Sequence, residues 1–154
     1  MAKESAGILL YRSKNLTLEF LLVHPGGPFF TKKDAGHWTV PKGEIMENED
    51  YLEAAVREFL EETGHQVSGD PVALNPILQK GGKKVWCWAI EDDLDPTQIV
   101  SNTFEILWPP KSGQLKSFPE IDKADWFNFD QAALKINERQ IPFLEEVRKF
   151  TTFK

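Results

Sequence analysis

Apolar and polar positions along the chain alternate in short blocks separated by turn residues. Residues 6–11 and 18–24 are dominated by aliphatic side chains and read as two β-strands, joined by the polar turn Arg12-Ser13-Lys14-Asn15. A Gly- and Pro-rich loop, 25–36, follows, and residues 38–40 form a short strand stopped by Pro41. The pattern then changes to a helical one over residues 50–63. Polar capping side chains stand at 48–50, and Gly64 sits where a left-handed glycine ends a helix. Further strands are expected at 71–79 and 84–91, with Gly81-Gly82 turning between them, and at 103–108 and 124–129. Helices over 131–136, capped by Asp130, and over 138–150 close the chain. Strands outnumber helices, which predicts an α/β fold: one domain, 1–154, with a mixed sheet packed between helices.

The central helix has two distinct sides. On a wheel, Leu52, Ala55, Val56, Phe59 and Leu60 fall together. Glu58, Glu61 and Glu62 gather elsewhere, spaced i, i+3 and i+4. Like charges at that spacing cost a helix a few tenths of a kcal/mol per pair. One glutamate on a helix is ordinarily a solvated charge. Three together make sense around a divalent cation, and magnesium prefers a few carboxylates, retained waters and phosphate oxygens.

Composition narrows the partner. The chain has 154 residues, 41% of them hydrophobic, and a net charge of −6. An acidic chain is a poor match for polymeric nucleic acid, which requires clustered Lys and Arg. A cation among the glutamates would instead turn an acidic pocket into a phosphate site. The one cysteine, Cys87, excludes a disulfide framework and fits a reducing compartment; it reads as a buried strand residue. The first residues, MAKESAGILLYR, lack a signal peptide's features, and no apolar run is long enough to span a membrane. The expectation is a cytoplasmic protein, monomeric or homodimeric, acting on a small molecule.

The helix belongs to a longer pattern: Gly43, five residues, Glu49, seven residues, Arg57-Glu58-Phe59, one residue, Glu61-Glu62, one residue, Gly64. This resembles the Nudix box at all its fixed positions, a coincidence on the order of one in 10⁸ at ordinary residue frequencies. The resemblance covers residues 43–65 strongly, and the flanking strands and the tail EIDKADWFNFDQA more weakly. It departs at His65, where the family usually has an aliphatic residue. It implies the Nudix α/β/α sandwich and a pyrophosphohydrolase dependent on Mg²⁺, for which Mn²⁺ can substitute. Glu58, Glu61, Glu62 and the Gly43 carbonyl would hold metal, and an Arg57–Glu49 ion pair would orient the carboxylates. The general base would be Glu61 or Glu62, with Glu120 as a further candidate.

The stretch Trp38-Thr39-Val40-Pro41-Lys42-Gly43-Glu44 is similar to the approach to the box in diadenosine tetraphosphate hydrolases and related polyphosphate-cleaving branches. Lys42 can place its ammonium on a phosphate. Trp38, Trp86 and Glu120 join it as candidate substrate contacts; the bland reading of Trp86 and Trp88 is packing beneath a helix, and of Lys42, exposure to solvent. Phe29 and Phe30, in the Gly/Pro loop, can also stack a base. Two downstream markers are missing. Positions 80–82 are Lys-Gly-Gly where that branch has a tyrosine, and Gln79 stands where ADP-ribose hydrolases have a proline. The expected substrate is thus a dinucleoside polyphosphate or a nucleoside triphosphate. The alternatives are ADP-ribose, a sugar nucleotide or a diphosphoinositol, or a non-catalytic nucleotide-binding module. The isopentenyl diphosphate isomerases of the same fold need a cysteine before the box, and Cys87 follows it. The segment Trp108-Pro109-Pro110-Lys111-Ser112-Gly113 is expected as a loop near the site.

Overall fold

The computed structural model describes residues 3–151. Two long strands, β1 (Glu4–Lys14) and β2 (Thr17–Pro25), form a hairpin. β3 (Lys42–Glu44) then pairs antiparallel with the start of β1 and leads to helix α1 (Tyr51–Thr63). β4 (Val72–Ala73), β5 (Ile77–Leu78) and β6 (Lys84–Glu91) follow, and β6 lies parallel to β1. A hairpin of β7 (Thr103–Leu107) and β8 (Leu115–Pro119) forms a sheet of its own. β9 (Ile121–Asn128) returns beside β2, and helices α2 (Phe129–Lys135) and α3 (Ile141–Thr151) complete the fold. The large sheet runs β4-β6-β1-β2-β9, with β3 on β1 and β5 on β6.

Because side chains alternate along a strand, β1 feeds two cores. Ala6, Ile8 and Leu10 pack toward α1 with Leu21, Ala55 and Phe59. Leu9 points the other way, joining Phe20, Leu22, Cys87 and the α2 and α3 residues Ala132, Phe143 and Val147. The result is the expected α/β/α arrangement, with a mixed sheet between helices. Among the described residues no helix is long and apolar enough to cross a membrane.

α1 begins where Asp50 accepts the Glu53 N–H at 3.1 Å and ends where Gly64, at φ 76°, returns its N–H to the Leu60 carbonyl. Its buried face differs from the expected one. Leu60 is 42% exposed, while Ala54, Ala55, Phe59 and Glu62 are buried. Ala55, Phe59 and Glu62 follow one another at helical spacing, so the stripe against the sheet ends on a carboxylate.

Other elements shift for local reasons. Residues 38–40 make only isolated bridges, Val23 with Thr39 and Trp38 with Ile136, and the strand lies beyond Pro41. Pro41 has no N–H for a ladder, yet its carbonyl accepts from Ile8 at 3.1 Å. The expected strand 71–79 is reduced to two dipeptides on either side of Leu74-Asn75-Pro76. Asn128, not Asp130, caps α2, through a reciprocal pair of bonds with Gln131. The last helix starts at Ile141, after a 3₁₀ turn over Glu138–Gln140. β8 leaves no strand signal in the sequence, since its side chains are exposed or half-buried and make no apolar run. Residues 108–113 form the tip between β7 and β8.

Candidate functional site

Arg57 organises the acidic helix face. Its Nε and Nη2 donate to Glu49 at 2.7 and 3.0 Å, a two-pronged contact that suits a planar guanidinium. Nη1 donates to Glu58 at 2.7 Å and Glu61 at 3.2 Å, and Nη2 also reaches the Glu44 carbonyl at 3.0 Å. One side chain thus ties Glu49, in the loop before the helix, to two of the three clustered helix glutamates, Glu58 and Glu61. Arg57 holds the Glu49 carboxyl down at about 2.

Glu58 lies against Gly43. A Cβ added there would stand 1.9 Å from Glu58 Oε1, so only glycine permits this approach. Glu62 sits deeper, 8% exposed. Burial and then the neighbouring charge of Glu58 push its carboxyl up to about 8, with Glu120 adding to the effect and the Lys42 ammonium opposing it. Burial also raises Glu58, against the pull of Arg57, and raises Glu120 with help from Glu61. Burial and the charge of Lys83 lower the Lys42 ammonium, while Glu62 and Glu58 oppose that shift.

Lys42, Glu62 and Glu120 share one cleft of about 330 Å³, which Thr39, Phe30 and Phe104 also line. A chain of backbone bonds brings Glu120 there. Gly26 N–H donates to the Glu120 carbonyl, Glu120 N–H to Asn102, and Asn102 N–H to the Glu61 carbonyl, each at 2.8 Å. The end of α1, the hairpin base and the loop after β2 are thereby locked together. His24, fully buried, fixes that loop from beneath, with Nδ1 2.8 Å from Asp122 and Nε2 2.6 Å from the Lys33 carbonyl.

The structure brings Glu49, Arg57, Glu58 and Glu61 into one network, and Lys42, Glu62 and Glu120 into the adjoining cleft. It places two candidates elsewhere. Trp38 is 5% exposed, edge-on to His24 and Phe127, with its indole N–H donated to Asp34 at 2.7 Å. It belongs to the core and holds the loop, because the chain through residues 38–40 turns its side chain inward. Trp86 lies near the start of α1, its indole N–H on Glu4 at 2.6 Å and its ring 5.2 Å from Tyr51. It does not line the cleft that holds Lys42. Trp88, two residues on, packs in the cluster beneath α1. Sequence reasoning missed Thr39, Phe104 and Ile121 as cleft residues. The half-buried Phe104 and Ile106 alternate with exposed neighbours along β7, a legible strand signal, but nothing local says what that strand faces.

Among the described residues, no three acidic, histidine or cysteine side chains converge closely enough to enclose a metal ion, since Arg57 draws Glu58 and Glu61 to itself. The donor set nevertheless fits a hard divalent cation. Its carboxylates repel one another, are partly withdrawn from water, and meet a backbone cradle at Gly43 that excludes any side chain.

The chain is 34% identical over 103 residues to the asymmetrical bis(5'-nucleosyl)-tetraphosphatase of Rattus norvegicus, a match covering 59% of this chain and 66% of that protein, just under two thirds of its length. The fold is similar to a C. elegans Ap4A hydrolase binary complex, with a TM-score of 0.62 at 22% identity over 95% of this chain and 96% of the other. It is equally similar to the NUDIX domain of Shewanella oneidensis NrtR complexed with ADP ribose, with a TM-score of 0.62 at 17% identity over 99% and 90%. A family model described as the NUDIX domain matches residues 1–147, and the chain belongs to that family.

Proposed function

We propose that this chain is a magnesium-dependent pyrophosphohydrolase that cleaves a phosphoanhydride bond in a nucleoside diphosphate joined to another group. A dinucleoside polyphosphate or a nucleoside triphosphate is the substrate class. One observation carries the reading: Lys42 faces Glu62 and Glu120 in a single cleft beside the Arg57-ordered pair Glu58 and Glu61. The similarity to a bis(5'-nucleosyl)-tetraphosphatase supports the polyphosphate class.

Glu58, Glu61 and Glu62, with the backbone at Gly43, would hold the cation, which when bound supplies Lewis-acid polarisation and lowers the pKa of water. The Lys42 ammonium pairs with a phosphate oxygen. Arg57 keeps Glu58 and Glu61 in register, and Glu49 keeps Arg57 in place. A carboxylate of the cleft takes the proton of the attacking water. Glu62 and Glu120 both line that cleft with Lys42, and Glu120 stands outside the set that would hold the cation, which leaves its carboxylate free for the proton.

The test is a substrate panel in magnesium with products separated by chromatography. The panel spans diadenosine polyphosphates, nucleoside triphosphates, ADP-ribose, sugar nucleotides and diphosphoinositols. Release of a nucleoside monophosphate together with a nucleoside triphosphate from diadenosine tetraphosphate, or of a nucleoside monophosphate together with pyrophosphate from a triphosphate, is the expected outcome. Turnover confined to a diphosphoinositol would overturn the nucleotide reading. Binding of nucleotides without turnover would point to a non-catalytic module.

A further inference from the structure

Among the described residues the hairpin of β7 and β8 joins no other strand, yet it is not loosely attached. The Phe104 ring lies on the backbone of Gly27, where an added Cβ would stand 2.7 Å from the ring's Cζ. Near the tip, the Trp108 ring meets Phe29 edge to face, with centroids 5.5 Å apart. Phe118 supports Phe104 from the neighbouring strand at 6.1 Å. The hairpin and the loop after β2 therefore meet through aromatic rings. Where they meet they line the cleft that holds Lys42 and Glu62.

That cleft has two chemical characters. Lys42, Glu62 and Glu120 make one polar and charged part, and Phe30, Phe104 and Ile121 make the other apolar and largely aromatic. Phe30 and Phe104 are only half-buried, so each keeps ring surface available to a ligand. A matching ligand carries a flat apolar group tethered to an anion. Resting on the nucleotide reading above, we propose that the hairpin is the nucleobase-binding arm of this enzyme. Phe104 and Phe30 form an aromatic slot for the base, while the attached phosphates lie on Lys42. Phenyl rings read the face of a base and not its hydrogen-bonding edge, so the slot accepts purines and pyrimidines alike.

Two probes share their phosphates and differ in the base: ADP and inorganic pyrophosphate. Their binding is measured by calorimetry in magnesium, for the wild type and for Phe104→Ala, Phe104→Leu and Phe104→Trp. The leucine variant keeps an apolar side chain on Gly27, which guards against loss of the hairpin's packing. ADP should bind the wild type about tenfold or more tightly than pyrophosphate, as expected for one stacked base. Phe104→Ala and Phe104→Leu should remove that advantage and leave pyrophosphate affinity unchanged, and Phe104→Trp should keep it. Equal affinity for the two probes in the wild type overturns the slot. So does ADP binding that survives Phe104→Leu, and so does a parallel loss of both probes. Base-dependent binding in a protein that hydrolyses no nucleotide would sink the hydrolase reading and leave the slot standing. Nucleotide turnover with unchanged KM in Phe104→Leu would do the reverse.

Discussion

A Cβ built on Gly43 would lie 1.9 Å from Glu58 Oε1 and 2.0 Å from its Cδ. Those atoms end a flexible side chain, so the fold has a cheap way to accept a methyl group: Glu58 swings aside. Gly43→Ala should therefore leave the melting temperature nearly unchanged, since alanine in a strand restricts the unfolded chain as well. It should cut kcat about 10²-fold, or roughly 2.7 kcal/mol of transition-state stabilisation, because Glu58 leaves its place beside Arg57. Paired melting and rate measurements separate the two effects, and a fully active alanine variant would remove Glu58 from the site. Lys42→Ala probes the neighbouring contact. Losing one charge-assisted bond to phosphate costs about 1.5–3 kcal/mol, so kcat/KM should fall roughly 10- to 150-fold. At this scale the sequence named most of the charged groups, because their spacing on one helix carries the information. Trp38 shows the limit. Its side chain is committed to the core by partners at His24 and Phe127, which lie far away in sequence.

Among the elements, α1 was the most legible, with its Asp50 cap and its Gly64 end, because both signals are local. Which face it buries was not, since Leu60 and Glu62 exchange the roles that hydrophobicity alone assigns. The deciding contact is with β1 and β3, which no helical wheel contains. The Arg57 network makes a prediction about the helix as a unit. Glu49 has its carboxyl lowered from 4.5 to about 2 by Arg57. A lowered carboxyl stabilises the fold above its unfolded value and loses that contribution as pH falls through the folded value. Acid should therefore reduce the melting temperature progressively between about pH 4.5 and pH 2. Glu49→Gln should start lower at neutral pH and show a flatter curve through that window. If both proteins titrate identically, the pairing contributes nothing to the fold. Arg57→Lys replaces a planar fork with a point charge that cannot serve Glu49, Glu58, Glu61 and the Glu44 carbonyl at once. Its kcat should fall well beyond any change in melting temperature.

For the molecule as a whole, the sandwich could be anticipated from the order of strands and helices. Two features could not. The parallel register of β1 with β6 and the docking of the β7–β8 hairpin beside α1 both depend on long-range pairing. The second runs through backbone atoms of Gly26, Asn102 and Glu120, which leave no periodic trace in a sequence. That docking gathers charge. A chain of net charge −6 places Glu58, Glu62 and Glu120 near one another, all with raised carboxyls and with Lys42 as the cation facing Glu62 and Glu58. A divalent ion that binds this arrangement and not the unfolded chain must stabilise the fold by mass action. At a hundred times its dissociation constant the gain is about 2.7 kcal/mol, which for a domain of this size raises the melting temperature by roughly 5–10 °C. Magnesium added to chelator-treated protein should produce that shift and restore turnover. Glu62→Gln should lose both responses while remaining folded, because the amide keeps the side chain's size and removes its charge. A melting temperature indifferent to magnesium at millimolar concentration, with turnover persisting in chelator, would show that the acidic cluster has a purpose other than holding a metal.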